Sequence, residues 1–158
     1  MSPQANEPAA TVRFRKATAA DLPAILRLLA DDPLGKFRED GTESEAMRAA
    51  FDVIDADSRN QLIVMEADGR VEGCLQLTFI PGLTYKGRDR GQIEAVRVSN
   101  AMRGKGLGKA LINHAVELAR AHGCALVQLT TDKRRADAQA FYKSLGFTAS
   151  HEGMKLWL

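Results

Sequence analysis

The sequence predicts an α/β fold in a single domain, and three observations support this prediction. Strand-like and helix-like segments follow one another in the order β-α-α-β-β-β-α-β-α-β. A glycine-rich turn opens a helix directly after a run of β-branched residues. The length of 158 residues and the apolar content of 45% suit one domain with a substantial core. We therefore expect residues 12–158 to form one domain and residues 1–11 to form a disordered tail.

Local signals place the individual elements. Capping boxes at residues 18–21 and 42–45 open the first two helices. Asp68-Gly69 predicts a tight hairpin turn, and residues 81–90 read as a flexible basic linker. The predicted strands are 12–16, 61–67, 71–80, 91–98, 125–130 and 154–158, and the predicted helices lie near 22–29, 46–54, 107–123 and 137–145.

The most informative stretch is the run 103–109, which reads Arg-Gly-Lys-Gly-Leu-Gly-Lys. A glycine-rich turn at a helix start presents unpaired backbone N–H groups and the positive end of the helix dipole, and together they bind phosphate. Glycine lets a ligand approach the backbone closely. The run is not a Walker A loop, because Ala110 stands where that loop needs Ser or Thr. It is not a dinucleotide fingerprint either, because its glycines are spaced two and two.

Two segments resemble the GNAT superfamily of N-acetyltransferases. Arg103, Gly106 and Gly108 match the signature (Gln/Arg)-x-x-Gly-x-(Gly/Ala), which wraps the pyrophosphate of acyl-CoA in that family. Residues 137–147 resemble the family's A-x-x-F-Y-x-x-x-G-F helix and turn, with Gly146 as the helix-ending glycine. The resemblance implies a mixed, mostly antiparallel sheet of six to seven strands. About four helices would flank this sheet, which would splay between strands 4 and 5.

Acetyl transfer to an amine requires a general base and a general acid. Glu94 is the candidate base, because apolar neighbours on its strand would desolvate the carboxylate and raise its pKa. The alternative is an ion pair with Arg90 or Arg97. The resemblance makes Tyr142 the candidate acid that protonates the leaving thiolate, and the alternative is a packed tyrosine whose hydroxyl caps a backbone carbonyl. Side-chain alternation puts Glu94 and Val96 on one face of the strand and Arg97 on the other.

The resemblance also implies where acetyl-CoA binds. Backbone groups of Val96, Arg97 and Val98 would hold the pantetheine arm as a neighbouring strand does. Arg135 stands where the family often has Asn, so it either reaches a phosphate of the cofactor or lies in a solvated turn. The remaining predicted contacts with the cofactor are Arg103, Gly104, Lys105, Gly106, Leu107, Gly108, Lys109 and Ala138.

The acceptor site is predicted from loop composition. Phe37, Arg38 and Tyr85 lie in loops that mix aromatic and charged residues, as binding loops do. Residues 1–83 carry nine basic and 14 acidic side chains, whereas residues 84–158 carry 13 and six. The acidic half suits a cationic amine and the basic half suits an anionic cofactor. Solvated helix faces would explain the same asymmetry.

These observations predict an acetyl-CoA-dependent N-acetyltransferase that transfers an acetyl group directly to a primary amine of a small molecule or peptide. The alternative is a non-catalytic acyl-CoA-binding sensor or regulatory module. No Cys/His cluster has metal-ligand spacing, so we expect no metal. We expect no nucleic-acid partner and no membrane association. Cys74 and Cys124 lie in apolar runs, as in a reducing, cytoplasmic protein, and the family resemblance favours a homodimer.

Overall fold

The computed structural model describes residues 11–31 and 41–158. Within these residues five strands form one sheet in the order β1-β2-β3-β4-β5. Three neighbouring pairs are antiparallel and β4–β5 is parallel, which confirms the mixed, mostly antiparallel sheet. The predicted six to seven strands are too many for this part of the chain. The strands are Val12–Lys16 (β1), Asn60–Ala67 (β2), Arg70–Ile80 (β3), Arg90–Val98 (β4) and Leu126–Leu129 (β5).

Five α-helices occur in the described residues, one more than predicted, together with two short 3₁₀ turns at Ala19–Asp21 and Asn100–Met102. The additional one is a single turn in the segment that the sequence suggested to be a flexible linker. Its residues Tyr85 and Lys86 have φ of 54° and 59°, so the turn is left-handed. The helices are Leu22–Ala30 (α1), Glu45–Ala56 (α2), Thr84–Gly87 (α3), Leu107–His122 (α4) and Ala136–Ser144 (α5).

The start of α1 is fixed by a polar cluster. The Thr18 backbone N–H donates to Asp21 Oδ2 at 2.7 Å, which confirms the predicted capping interaction. Arg15 donates to both Asp21 oxygens, at 2.6 and 2.8 Å, and also to Glu66 at 2.6 Å. These bonds tie β1, β2 and the entry of α1 together.

The start of α2 differs from the prediction by two residues. The Met47 backbone N–H donates to Ser44 Oγ at 3.2 Å, so Ser44 is the N-cap. The sequence placed the cap at Thr42. Both residues carry a hydroxyl group that can cap a helix. The helix begins after Ser44 because its hydroxyl accepts a hydrogen bond from the N–H group three residues later.

The sheet has a hydrophobic cluster on each face. α4 covers one face and α1 and α2 cover the other, and β-strand alternation supplies side chains to both. The α4 cluster contains Ile63, Met65, Leu75, Leu77, Phe79, Ile93, Leu111, Ile112, Ala115 and Ala119. The α1/α2 cluster contains Ala17, Leu22, Ile25, Leu26, Leu28, Phe51, Leu62, Val64 and Cys74.

The chain termini differ from the prediction in two respects. Residues 154–158 form no strand, and β5 is the edge of the described sheet. Alternation of apolar residues predicted this strand, but the segment pairs with no other strand in the described chain. Thr11 bonds in both directions with Asp68, so the predicted tail ends before it. Residues 1–10 lie outside the described residues, and their disorder stays a prediction.

Candidate active site

The edge of β4 that faces β5 is paired over only part of its length. β5 pairs in parallel with residues 90–93 of β4 and ends there. Residues 94–98 therefore have no strand partner on that side within the described chain. An unpaired strand edge presents N–H and C=O groups that an extended ligand can bind like an added strand. The early end of the β4–β5 pairing is what the predicted splay requires.

A β-bulge lies at the point where this open edge begins. Gln76 pairs with Glu94 and Cys74 pairs with Arg97, so a single residue of β3 opposes two residues of β4. Ala95 has φ of 53°, in the left-handed region that alanine rarely occupies. Its carbonyl accepts a weak bond from Cys74 Sγ at 3.7 Å. Strained backbone of this kind persists where surrounding pairs determine it, and it is frequent at functional sites.

The bulge changes which side chains of β4 share a face. Ile93 is buried in the α4 cluster, and Val96 packs against the same cluster. Glu94 and Arg97 instead align with β3 residues that face α1 and α2. The prediction that Glu94 shares a face with Val96 is therefore wrong. The extra residue at Ala95 shifts the alternation by one position.

Glu94 is exposed. The expectation that apolar neighbours desolvate its carboxylate is therefore wrong, because β5 ends before it can cover this position. The alternative interpretation as an ion pair is not supported either. In the described part of the chain Glu94 forms no ion pair with Arg90 or Arg97. The carboxylate is thus open to a ligand at the start of the unpaired edge.

Tyr142 lies on the other side of the sheet. Its ring contacts Phe141 and Phe147 edge to face, with centroid separations of 5.2 and 5.9 Å, and it packs against the α4 cluster. Burial raises the pKa of the phenol, and the nearby charges of Arg135 and Arg97 partly offset this rise. Among the described residues the hydroxyl meets no protein acceptor at hydrogen-bond distance. The alternative in which it caps a backbone carbonyl is therefore not supported.

The turn after α5 holds Tyr142 in place. The N–H groups of Gly146 and Phe147 donate to the carbonyls of Lys143 and Tyr142 at 3.0 and 3.1 Å. This pair of bonds is a Schellman motif, and Gly146 with φ of 92° occupies its left-handed position. The predicted role of Gly146 as the helix-ending glycine is confirmed.

The glycine-rich run forms an open loop that leads into α4. Gly104 and Gly106 have φ of 75° and 77°, and a Cβ added at either would meet no other atom within 4 Å. Gly106 is the N-cap of α4, and no side chain caps the first N–H groups of this helix. The basic side chains of Arg103, Lys105 and Lys109 are exposed around the loop. This arrangement fits a phosphate group, because donors and charge converge where no side chain intervenes.

Two guanidinium groups bond to carbonyls of β4. Arg97 Nη1 donates to the Val96 carbonyl at 2.8 Å, and Arg103 Nε donates to the Val98 carbonyl at 3.3 Å. A ligand that bonds to these carbonyls either uses their second lone pair or displaces the guanidinium groups. These contacts could not be predicted from the sequence, because each depends on a side chain folding back onto the backbone.

The other predicted site residues lie at several places. Arg135 is the N-cap of α5 and Ala138 lies in its first turn, both partly exposed. The start of β4 is about 13 Å along the strand from Glu94, and Tyr85 lies before that start in the chain. Phe37 and Arg38 lie outside the described residues.

Sequence reasoning missed a row of uncharged polar side chains. Asn60, Thr78, Gln92 and Gln128 are in register across β2, β3, β4 and β5, and Gln76 is beside Glu94. Each looks ordinary on its own strand. Strand alternation could have assigned each a face, but only the register brings them together.

An open strand edge beside a glycine-rich helix start is typical of proteins that bind an extended ligand with phosphate groups. The chain matches the model of the acetyltransferase (GNAT) family over residues 22–147, and it belongs to this family.

Individual relatives support this assignment. Glucosamine 6-phosphate N-acetyltransferase of Trypanosoma brucei brucei is 41% identical over 88 residues, which are 56% of this chain and 58% of that protein. Streptothricin acetyltransferase of Streptomyces lavendulae is 31% identical over 125 residues, which are 79% of this chain and 58% of that protein. The chain therefore spans somewhat more than half the length of these two relatives.

A solved structure is similar over most of the chain. It is named a transcriptional regulator from Bacillus halodurans C-125, is 46% identical and superposes with a TM-score of 0.91. The similarity covers 94% of this chain and 100% of that one. In the described residues of the present chain, no helix is long and apolar enough to cross a bilayer.

Proposed function

We propose that this protein transfers the acetyl group of acetyl-CoA directly to a primary amine. The observation that carries the proposal is the gap beside residues 94–98, where β5 has ended. Glu94 lies on the α1/α2 face of the sheet, and Tyr142 packs on the α4 face. A thioester placed in this gap would have a carboxylate on one side and a phenol on the other.

The two groups have complementary roles in the transfer. The amine nitrogen attacks the thioester carbonyl, its proton passes to Glu94 directly or through water, and the C–S bond breaks. Tyr142 gives its proton to the departing thiolate. Burial keeps this phenol protonated near neutral pH, because it raises the pKa above its ordinary value. The free hydroxyl needs to break no protein hydrogen bond before it donates.

Acetyl-CoA would bind along β4 and the start of α4. The pantetheine arm would pair with the backbone of residues 96–98, and the pyrophosphate would bind the N–H groups of the 104–109 loop. Arg103, Lys105 and Lys109 would add charge, while Arg135 and Ala138 would contact the ligand from α5. We place the acceptor on the α1/α2 face, where Glu94 is exposed, with Phe37, Arg38 and Tyr85 as predicted contacts.

Relatives suggest a small molecule rather than a protein as acceptor. The relatives described above are named for glucosamine 6-phosphate and streptothricin, and both names denote small amines. The test is the release of free thiol from acetyl-CoA with a panel of amines: amino sugars, aminoglycosides, amino acids, polyamines and lysine peptides. Turnover with one class establishes the activity and its acceptor class.

Two variants assign the roles. Glu94→Gln should lower kcat strongly and leave the Kd for acetyl-CoA near normal. Tyr142→Phe should lower kcat by about 10- to 100-fold, the size of a proton-transfer contribution. Glu117→Gln is the matched control for Glu94→Gln, since it removes a carboxylate from an exposed position of α4, where Glu117 pairs with Arg120. Full turnover in either variant removes that residue from the mechanism.

A second candidate function is a non-catalytic acyl-CoA sensor. The similar solved structure that is named a transcriptional regulator favours it. Tight binding of acetyl-CoA without thiol release from any amine would support this candidate. Binding and turnover together would exclude it.

We also propose a homodimer. Met154, Leu156, Trp157 and Leu158 are between 77% and 117% exposed, and apolar exposure of this extent is typical of interfaces. Light scattering after gel filtration checks the mass. A monomeric mass at all concentrations contradicts the homodimer. A dimer that survives deletion of residues 154–158 shows that these residues do not form its interface.

A further inference from the structure

Four uncharged polar residues form a continuous line across the sheet. Asn60 pairs with Thr78, Thr78 pairs with Gln92, and Gln92 pairs with Gln128. Because paired residues of neighbouring strands point to the same side, the four side chains share one face. We call these four residues, together with Gln76, the amide row.

The amide row lies on the face from which the amine must approach. Gln76 pairs with Glu94, and Gln92 lies two residues before Glu94 on the same strand. Gln76 also alternates in step with Cys74, which belongs to the α1/α2 cluster. The row therefore continues from the exposed carboxylate toward the start of β4. Two residues along a strand correspond to about 7 Å, which is the span of one sugar ring with its substituents.

Neither hydrophobic cluster includes the amide row, and its residues are half-buried. The contacts of α1 and α2 with this face centre on Leu62, Val64 and Cys74. The row therefore borders solvent while its side chains remain close enough to bond to one another.

Hydrogen bonds within the row fix the orientation of its amides. Gln128 Nε2 donates to Gln92 Oε1 at 2.7 Å. Gln76 Nε2 and Thr78 Oγ1 both donate to Asn60 Oδ1, at 2.9 and 2.7 Å. Asn60 is held in turn by Asp57, which accepts from its Nδ2 at 2.6 Å. Such a network pre-organises the groups that remain, because their rotamers are already selected.

Several polar atoms of the row keep unused bonding capacity. An amide offers two donor hydrogens and an acceptor oxygen. Among the described residues, the bonds above leave Gln92 Nε2, Gln128 Oε1 and Gln76 Oε1 without a protein partner. Donors and acceptors thus alternate along the row without a formal charge. Hydroxyl groups are donors and acceptors at once, so they match this pattern better than carboxylates or ammonium groups do.

We propose that the amide row is the acceptor subsite, and that it takes a primary amine on a neutral, hydroxyl-rich skeleton such as an amino sugar. The inference rests on the proposed acetyl transfer, since Glu94 defines where the amine nitrogen lies. Gln92 and Gln128 bind the hydroxyl groups of the skeleton. Selectivity then comes from half-buried amides that lose their partners when a bound substrate without hydroxyls excludes water from them.

The experiment compares D-glucosamine with cyclohexylamine, a ring amine of similar size without hydroxyls. Binding to the CoA-loaded protein is followed by saturation-transfer NMR, and turnover is followed by thiol release. We expect D-glucosamine to bind more tightly than cyclohexylamine. Gln92→Leu and Gln128→Leu should each weaken D-glucosamine binding and raise its KM by about three- to tenfold, the effect of one lost hydrogen bond. Their kcat and their KM for acetyl-CoA should stay within about twofold of the unmodified protein.

Gln61→Leu is the matched control. Gln61 pairs with Leu77 and so faces α4 on the opposite side of the sheet, and its replacement should change neither binding nor KM. Gln92→Asn keeps the amide group but shortens its reach. If Gln92→Leu weakens D-glucosamine binding by disturbing packing, Gln92→Asn should weaken it less.

The outcomes separate this inference from the proposed function. D-glucosamine binding that weakens in Gln92→Leu supports the subsite even if no thiol is released, in which case only the transferase proposal fails. Equal binding of both amines, or binding of D-glucosamine unchanged in both leucine variants, overturns the subsite whatever the turnover is.

Discussion

The ion pair between Arg15 and Asp21 makes a pH-dependent contribution to stability that can be measured. The Asp21 carboxylate is 9% exposed and accepts two bonds from the Arg15 guanidinium. These bonds lower its pKa from 3.8 to about 2. Because one pKa unit corresponds to about 1.4 kcal/mol, Asp21→Asn should lower the free energy of unfolding by about 2 kcal/mol at pH 7.

The pH dependence follows from the direction of this shift. A carboxyl group whose pKa is lower in the folded state stabilises the protein fully above the unfolded pKa of about 3.8. That contribution falls as the pH drops from about 4 to about 2, because in this range the unfolded chain takes up a proton that the folded protein does not yet bind. The difference between the unmodified protein and Asp21→Asn should therefore be largest at neutral pH and should shrink across this window.

The assay is urea unfolding followed by circular dichroism at several pH values. Fluorescence is unsuitable, since the only tryptophan, Trp157, is 77% exposed in the folded chain. Asp55→Asn is the matched control: its pair with Lys16 at 2.8 Å is about half exposed, so it should cost less than about 1 kcal/mol. Equal stability of Asp21→Asn and the unmodified protein at pH 7, or a difference that does not change down to pH 2.5, would refute the reasoning.

Three further predictions concern backbone positions. Gly106→Ala should lower stability by about 1 kcal/mol because its φ of 77° disfavours a Cβ, and calorimetry should show weaker acetyl-CoA binding. Ala95→Val should destabilise the protein by about 1–2 kcal/mol, because a β-branched residue tolerates φ of 53° poorly. Ala95→Gly should not destabilise it, and thermal melts of both variants check this. Gly73→Ala should cost about 1–3 kcal/mol in urea unfolding, because its Cβ would lie 3.0 Å from the Arg97 carbonyl oxygen; an unchanged midpoint would contradict this.

The elements that the sequence predicted well depend on interactions between near neighbours. Asp68 and Gly69 have φ of 51° and 76°, as a two-residue hairpin with both central φ positive requires. Gly146 ends α5 because only a residue without a Cβ easily takes the left-handed position there. In both cases a few consecutive residues contain the whole physical reason, so a single sequence was sufficient.

The features that the sequence did not predict depend on pairing between distant segments. Nothing in Ala95 signals a positive φ, which β4 adopts because its pairs with β3 on either side are out of step by one residue. The exposure of Glu94 depends on where β5 ends, 35 residues later in the chain. Propensity and alternation describe one strand at a time, so they could not reveal either feature.

The bulge and the early end of β5 together decide what this sheet can do chemically. Amide formation releases a proton at the amine and consumes one at the sulfur, so the two proton carriers are best placed on opposite sides of the thioester. A continuous sheet would separate its two faces completely. Because β5 stops at Leu129, no strand of the described chain separates the two faces beside residues 94–98. The bulge turns Glu94 and Arg97 to one face, while Val96 packs against the core on the other. The irregular part of the sheet is thus the part that would accommodate the proposed reaction, with one reactant on each side.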